Sequence, residues 1–423
     1  MRKVAKKERE IGKQKGKQSG KSRRITHKKT DQKGGKEYTS WRVRYSLPDG
    51  TQKEKKFASQ AEAQIFLNQT LADIQNDDYL EPSLITVAQW LDIYLEEYTA
   101  NLKPLTKKSY TAQINTHIKP ALGKYKLCTL DTLQIQKFIN SLSRTGKKKV
   151  IKDKVTEKEK ISYGPLSPKS VKNVHGILLR ALSTAVEIRF LKENPAEGIR
   201  LPRAPKPEMH PLDKSQMRQY LAAAAQDEYG YLLRILPLTG LRESEAMGLT
   251  WDCVDFEAGT ITVNKQLVKL PKGQGGFRLD TPKNGKTRVI KPAPMVMQLL
   301  RDREKEQIED RFKAGDLWKG FQSDKERKTA LVFTSRSGDH LHPQTVYNHL
   351  KKVLLSIGVT ESCVHDLRHT YATLGLQGHD DIKTVSSNLG HSTVSFTLDR
   401  YGHVTDSMRD ESSRRWQELI DTF

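Results

Sequence analysis

Side chains that can act on a phosphate are concentrated in residues 364–404, which contain His365, Arg368, His391 and Tyr401. An arginine presents a planar pair of donors to two phosphate oxygens, and a histidine donates a hydrogen bond or takes a proton near neutral pH. The three-residue spacing of His365 and Arg368, in a run with helical periodicity, places both on one helix face. The segment therefore predicts an anion clamp beside a phenol, and a phosphodiester is the expected anion.

A second arginine lies upstream in a distinctive pattern. Arg242 belongs to the run Thr-Gly-Leu-Arg-Glu-Ser-Glu at residues 239–245. Together with His-x-x-Arg at 365–368, Leu-Gly-His at 389–391 and the downstream Tyr401, this pattern resembles the tyrosine recombinase, or phage-type integrase, family. The resemblance is to integrases of temperate phages and of integrative conjugative elements (transposons). It implies a site-specific DNA recombinase that integrates and excises a mobile element or prophage.

The resemblance also implies a set of catalytic residues. One member is a lysine on a β-hairpin, and residues 280–286, Asp-Thr-Pro-Lys-Asn-Gly-Lys, supply it beside an Asn-Gly turn. Lys283 precedes the turn and is the predicted residue, with Lys286 as its competitor. Glu245 matches an acidic residue that supports an active-site arginine in the family. The predicted catalytic residues are Arg242, Lys283, His365, Arg368, His391 and the nucleophile Tyr401.

Physical chemistry supports the same roles. A phenol with a pKa of about 10 is a weak nucleophile at neutral pH, so Tyr401 needs a base or strongly cationic surroundings. The arginines would stabilise charge on a pentacoordinate phosphate, which His391 would also bind. Lys283 is the predicted general acid for the leaving 5′-oxygen, and His365 the predicted proton-transfer group beside Tyr401. Because a 3′-phosphotyrosine conserves the bond energy, no metal, ATP or other cofactor is expected.

Several alternatives remain open at the level of sequence. A single His or Arg in a basic protein is more often structural or solvated than catalytic. Tyr371 and Tyr347 compete with Tyr401, although core packing is the simpler role for Tyr371, one helical turn after the His-x-x-Arg pair. The same chemistry would suit a type IB topoisomerase that relaxes DNA. The same fold would suit a non-catalytic, architectural DNA-binding protein.

The composition indicates a DNA-binding protein. The chain has 423 residues, 36% of them apolar, and a net charge of +23. Such a charge points to a polyanion, and double-stranded DNA is the expected partner. Cys128, Cys253 and Cys363 are too few and too scattered for a disulfide framework, and no apolar run is long enough to cross a membrane. A bacterial cytoplasmic protein without membrane contact is expected.

The N-terminal part is predicted to contain a basic arm and a small domain. Residues 1–36 are dense in Lys, Arg, Gly and Gln, which indicates a disordered arm that contacts DNA phosphates or only solubilises the chain. Residues 37–82 predict a small sheet and a helix over 60–74, and resemble an arm-type DNA-binding domain. Arg42 and Arg44 share one face of that sheet, where they either contact DNA or are merely solvated. The predicted apolar stripe of the helix comprises Ala61, Ile65, Phe66 and Leu71.

Residues 83–200 resemble the family's all-α core-binding domain. Four helical patterns lie near 86–99, 106–118, 131–142 and 167–189. Two of these helices begin with basic, hydroxyl-rich turns that suit phosphate contact. The DNA contacts predicted there are Lys107, Lys108, Lys169 and Lys172. A lysine-rich insertion at 144–163 departs from the compact form of this domain, and is either a loop or hairpin that reaches DNA or a solvated segment.

A proline-rich linker at 201–208 leads to a mixed α/β catalytic domain at 209–423, helix-rich with one small sheet. The predicted fold class is therefore multidomain and mainly α with small β-sheets. A final helix is expected at 412–423, with Trp416, Leu419 and Ile420 on one face. It would pack on its own domain or dock on a neighbouring protomer, because family members exchange a C-terminal segment. The resemblance thus implies a homo-tetramer on core-type and arm-type attachment sites, with an excision factor and a host DNA-bending protein as possible partners.

Overall fold

The computed structural model describes residues 24–33, 36–47, 50–76, 79–80, 84–152, 159–205, 208–270, 273 and 276–423. The chain divides into two compact units, Met1–Ala204 and Pro205–Phe423. Within the described residues the elements are mostly helices, joined by small antiparallel sheets, so the predicted fold class is confirmed.

A three-stranded antiparallel sheet and one helix form the N-terminal domain. The strands follow the order β1 (Arg24–Lys33), β2 (Lys36–Ser46) and β3 (Gln52–Phe57), and α1 (Gln60–Gln75) packs on β2 and β3. Because successive strand residues point to opposite faces, Val43 is fully buried in the cluster that β2 shares with α1.

The sequence prediction for this domain was wrong in one strand. Residues 24–33 belong to the predicted disordered arm, 1–36, yet they form β1 and pair with β2. This strand has few apolar residues, so its pairing depends on backbone hydrogen bonds that composition does not reveal. Of the rest of the predicted arm, residues 1–23 and 34–35 lie outside the described residues, and Lys36 begins β2.

The predicted apolar stripe of α1 was also partly wrong. Ala61 is exposed and Ile65 is 57% exposed, whereas Ala63 and Leu67 are buried. Both pairs have the four-residue spacing of a helix face, so periodicity alone allows either. The position of the sheet selects Ala63 and Leu67, which pack in one cluster with Val43.

Helices make up most of the rest of the first unit. α2 (Val87–Glu97) begins with a capping box, in which the Thr86 hydroxyl accepts from the Gln89 N–H and the Gln89 side chain accepts from the Thr86 N–H. Trp90 anchors its buried face by donating its indole N–H to the Ala181 carbonyl. The helices that follow are α3 (Pro104–Gln113), continued by a π-helical turn at Ile114–Ile118, α4 (Lys119–Leu122), α5 (Thr132–Thr145) and α6 (Pro168–Glu187).

The predicted insertion at 144–163 contains a hairpin. Strands β4 (Lys147–Lys152) and β5 (Glu159–Gly164) pair antiparallel, with Lys147 opposite Gly164. Residues 153–158, which connect them, lie outside the described residues. The hairpin follows α5 directly and is followed by α6, whose first turn is capped by the Ser167 hydroxyl.

The second unit combines a helical core with two small sheets, where the sequence predicted one. The sheets have the orders β10 (Arg288–Ile290), β7 (Thr260–Val263), β6 (Val254–Asp255), and β8 (Gln266–Lys269), β9 (Phe277–Asp280). The helices are α7 (Lys214–Ala224), α8 (Gly230–Thr239), α9 (Glu243–Met247), α10 (Pro294–Ala314), α11 (Asp324–Arg327), α12 (Pro343–Ser356), α13 (Val364–Gln377), α14 (Ile382–Leu389) and α15 (Val394–Ile420). α8 contacts both α10 and α13, so the ends of these helices can deliver side chains to one site.

The C-terminal helix was predicted incorrectly. The sequence predicts a polar stretch after Tyr401 and a separate helix at 412–423, whereas α15 is continuous across both. The stretch contains no proline, so its polar composition does not interrupt the helix. At the end of α15, Trp416 is 62% exposed, which does not support packing on its own domain. No helix in the described part of the chain is long and apolar enough to cross a membrane.

Candidate active site

Arg368 lies near the start of α13 and is only 3% exposed. Its guanidinium donates hydrogen bonds to the backbone carbonyls of Gly240, at 2.7 Å, and Leu389. Gly240 lies two residues before Arg242, and Leu389 two residues before His391. Burial, reinforced by the nearby charge of Arg242, lowers the pKa of Arg368 to about 9. One side chain thus holds together the two loops that carry other predicted phosphate ligands.

The turn that presents Arg242 requires a glycine. α8 ends at Gly240, whose φ of +65° is left-handed. A Cβ there would lie 2.6 Å from the Tyr371 ring and 2.8 Å from the Leu389 side chain. The Thr-Gly-Leu-Arg motif therefore encodes a tight reversal that places Arg242 at the N-terminus of α9.

Glu245 holds Arg242 in place. Nη1 of Arg242 donates to Oε1 of Glu245 at 2.6 Å, and the Arg242 backbone N–H donates to Oε2 at 3.0 Å. Burial opposes ionisation of Glu245, but hydrogen bonds and charges from Arg288 and Arg242 outweigh it and lower the pKa to about 2. The carboxylate is therefore ionised at neutral pH, while the Arg242 side chain remains 25% exposed.

Arg288, on β10, is a site residue that the sequence analysis missed. It donates to both oxygens of Glu245, at 3.1 and 2.6 Å, and its Nε donates to the Asn388 carbonyl at 2.7 Å. Its side chain is 8% exposed. Its partners lie 43 and 100 residues away in the sequence, so no local spacing could have indicated them.

His391 follows the left-handed Gly390 that ends α14. Its Nδ1 is hydrogen-bonded to the Thr397 hydroxyl at 2.8 Å. Burial, together with the charges of Arg368 and Arg242, lowers the pKa of His391 to about 3. His391 is therefore neutral at physiological pH, and one ring nitrogen remains for a ligand.

Tyr401 is contacted by a histidine other than the predicted one. The sequence analysis expected His365 beside Tyr401, but the hydroxyl lies 2.6 Å from Nδ1 of His369. The His365 ring is one step removed, with its centroid 4.8 Å from that of His369. His365 and His369 share one helix face at a spacing of four, and packing of α15 selects the second. That spacing was the signal that could have identified His369.

The electrostatics of this pair are dominated by burial. Tyr401 is 1% exposed, and burial raises its pKa to about 12 although Arg368 opposes the shift. Burial also lowers the pKa of His369 to about 4, so its ring is neutral near pH 7 and Nδ1 can hydrogen-bond to the Tyr401 hydroxyl. The pKa of His365 is lowered by burial as well.

The competing tyrosines are placed differently. The Tyr371 hydroxyl accepts a hydrogen bond from the Asn388 side chain, and its ring packs against the Gly240 turn. Tyr347, on α12, is 40% exposed. Tyr371 packs against the same apolar cluster as Tyr401, but its hydroxyl is bonded to Asn388, whereas that of Tyr401 is bonded to His369.

Lys283 is not on a hairpin, contrary to the prediction. It lies in the connection between β9 and β10, which belong to different sheets, although Asn284 and Gly285 do form a turn closed by the Gly285 N–H and the Pro282 carbonyl. Lys283 and Lys286 are both exposed. The preference for Lys283 over Lys286 stays a prediction.

Two protein-family models match the chain. The model described as the phage integrase family matches residues 210–408, and the model of the phage integrase N-terminal SAM-like domain matches residues 86–143. Together they cover more than half of the chain. The chain belongs to the phage integrase family of tyrosine recombinases. Members of this family are DNA strand transferases, so the predicted enzyme class is confirmed.

Individual proteins give the same result. A XerC-like tyrosine recombinase of Caldanaerobacter subterraneus subsp. tengcongensis is 26% identical over 408 residues, covering 92% of this chain and 98% of the relative. The ICEBs1 integrase of Bacillus subtilis is 25% identical and covers 78% and 82%. The Tn1549 transposon integrase, solved with transposon right end DNA, has the same fold, with a TM-score of 0.62, 23% identity, and coverage of 78% and 99%.

The residues predicted to bind DNA outside the recombinase active site are all accessible to some degree. Lys107 is half-buried and Lys108 is exposed on α3, and Lys169 and Lys172 are exposed at the start of α6. Arg42 and Arg44 lie on the sheet face opposite Val43, as period two requires, but both form ion pairs with Glu54. Their contact with DNA stays a prediction.

Proposed function

We propose that this recombinase cuts and rejoins DNA at attachment sites through Tyr401, in order to integrate and excise a mobile element. The observation that supports it most directly is the 2.6 Å hydrogen bond between the Tyr401 hydroxyl and a neutral His369 beside the buried Arg368. A phenol with a raised pKa needs a base, and His369 is the group in contact with it.

The proposed reaction is a transesterification at phosphorus. The Tyr401 oxygen forms a bond to the scissile phosphorus, and the bond from phosphorus to the 5′-oxygen breaks. The phenol proton passes to His369, with His365 one step further, and Lys283 gives a proton to the leaving 5′-oxygen. The 3′-phosphotyrosine then reacts with the 5′-hydroxyl of a partner strand, which returns the proton and restores the enzyme.

Arg242, Arg368 and His391 are proposed to hold the non-bridging oxygens. The Arg242 side chain remains partly accessible to a phosphate, while its bond to Glu245 fixes its position. Each donor of this kind contributes about 3 kcal/mol to transition-state stabilisation. Because Tyr401 is 1% exposed, α15 must shift before a phosphate can reach its hydroxyl.

The proposed substrate is double-stranded DNA with core-type and arm-type sites, bound by a homo-tetramer in the bacterial cytoplasm. Relatives support this proposal: the ICEBs1 integrase is named for a mobile element, and the Tn1549 integrase was solved with circular intermediate DNA. An excision factor and a host DNA-bending protein are further proposed partners. The exposed Trp416 suits docking of the end of α15 on a neighbouring protomer.

The test is covalent trapping on a nicked suicide duplex built from a candidate attachment core, without metal or ATP. The wild-type chain should give an adduct with the 3′ end of the cut strand on a denaturing gel, and Tyr401→Phe should give none. Tyr347→Phe, which changes an exposed tyrosine of the same unit, is the matched control and should keep the adduct. An adduct retained by Tyr401→Phe would show that another residue is the nucleophile.

A further inference from the structure

The turn that carries Lys283 needs an anchor, because it connects two separate sheets and its ends are not paired with each other. An exposed lysine on such a connection would sample many positions, which would make it a poor general acid. Two side chains bond to the backbone ahead of His391: Asn284, within this connection, and Arg288, the first residue of β10.

Asn284 provides the first bond. Its amide N–H donates to the Gly390 carbonyl at 3.2 Å, and its Oδ1 accepts from the Lys286 N–H at 3.3 Å. The side chain therefore closes its own turn with one end and reaches the His391 loop with the other. Lys283 is its direct neighbour in the sequence.

Arg288 provides the second bond. Its Nε donates to the Asn388 carbonyl at 2.7 Å, while its two other nitrogens bind Glu245, the partner of Arg242. Gly390 makes room for this packing, since a Cβ there would lie 3.0 Å from Nη1 of Arg288. The guanidinium thus meets the Asn388–Gly390 backbone and Glu245 at once.

We propose that Asn284 and Arg288 are positioning residues, a clasp that fixes Lys283 relative to His391 and Arg242. The inference rests on the proposed function, because it takes Lys283 as the general acid. In this proposal neither Asn284 nor Arg288 touches the reacting atoms. Asn284 acts through the Lys283 turn, and Arg288 acts through Glu245 and the loop that carries His391.

The experiment separates proton donation from every other step. Adduct formation is measured on two otherwise identical duplexes, one with the normal 5′-oxygen at the scissile phosphate and one with a bridging 5′-sulfur. When the bond from phosphorus to sulfur breaks, the sulfur leaves as a thiolate, which is stable near neutral pH and needs no general acid. Lys283→Ala should be slowed about 100-fold on the oxygen duplex and rescued on the sulfur duplex.

Asn284→Asp is the decisive variant, because it keeps the acceptor for the Lys286 N–H and removes the donor to Gly390. It should be slowed about tenfold on the oxygen duplex and restored on the sulfur duplex. Asn284→Ala should behave alike, which excludes an effect of the new carboxylate on Lys283. Thr287→Ala, an exposed neighbour in the same connection, should match the wild type on both. Arg288→Lys should be slowed on both duplexes, with partial rescue by sulfur, because it also loosens Arg242 and His391.

Two outcomes would overturn the clasp: a wild-type rate for Asn284→Asp on the oxygen duplex, or an equal defect on both duplexes. Failure of the proposed function looks different. In that case Tyr401→Phe would retain its adduct, or Lys283→Ala would show no defect that sulfur rescues.

Discussion

A glutamate bound to two arginines occurs at two places in this chain, once on an open sheet and once in the active site. On the N-terminal sheet, Glu54 of β3 pairs with Arg42 at 3.3 Å and Arg44 at 2.8 Å, across the register that sets Arg44 opposite Glu54. In the second unit, Glu245 pairs with Arg242 and Arg288, each at 2.6 Å. The Glu54 side chain is 31% exposed and that of Glu245 is 0% exposed.

Burial gives the two groups opposite properties. Exposed ion pairs contribute little and are screened by salt, so the DNA contact predicted for Arg42 and Arg44 would require only that a phosphate replace Glu54. A buried pair cannot lose one member without leaving a charge uncompensated, so Glu245 acts as a fixed support. One glutamate and two arginines therefore form an exchangeable group in one region and a rigid scaffold in the other.

The largest expected effect comes from breaking the buried group. Glu245→Gln keeps the size of the side chain but leaves Arg242 and Arg288 without their counter-charge, and should cost about 3 kcal/mol of unfolding free energy. Loss of a fixed Arg242 should slow adduct formation at least about 100-fold. Urea unfolding and single-turnover trapping measure the two effects. Glu257→Gln, at an exposed position of the same unit, is the control, and an equal loss of stability in both variants would refute the distinction.

Burial should also appear in the pH dependence of stability, with an effect of intermediate size. The pKa of His369 is about 4 in the folded chain and about 6.5 when unfolded, so the unfolded state binds the proton first as pH falls. Stability from this group is present above pH 6.5 and is lost between pH 6.5 and 4. The loss should be on the order of 2 kcal/mol.

His369→Gln should flatten this part of the curve, measured by urea unfolding of the full chain at several pH values. Thr287→Ala, which removes no titratable group at an exposed position of the same unit, should leave the slope unchanged. An unchanged slope in His369→Gln would mean that the buried histidine is not what resists protonation.

The residues of the active site also differ in how far the sequence could predict them. Arg368 was identified because its spacing from His365 places both on one helix face, and Arg242 because its motif resembles that of the family. Arg288 could not be found that way, since its role exists only after residues 43 and 100 positions away fold against it. The choice of His369 over His365 likewise depends on where α15 packs, 32 residues later. Local periodicity predicted the fold class. The sequence analysis missed β1, which depends on pairing with β2, and the continuity of α15, which depends on the absence of a helix breaker after Tyr401.

The smallest expected effect tests the exposed group. Glu54→Gln frees Arg42 and Arg44 and removes a negative charge from the sheet face, so DNA binding should tighten about threefold at low salt and converge with the wild type as salt rises. Fluorescence anisotropy with a candidate arm-site duplex over a salt series measures both. Arg44→Gln should instead weaken binding and reduce the salt slope by about one.

Glu62→Gln, on an exposed part of α1, is the matched control, because it removes the same charge from the same domain without touching either arginine. If both glutamine variants tighten DNA binding equally, affinity depends only on the net charge of the domain, and Glu54 does not compete with DNA for Arg42 and Arg44. Weaker binding by Glu54→Gln would mean that the carboxylate itself orients Arg42 and Arg44 on DNA. The exposed group would then act as a scaffold too, and burial would no longer distinguish the two regions.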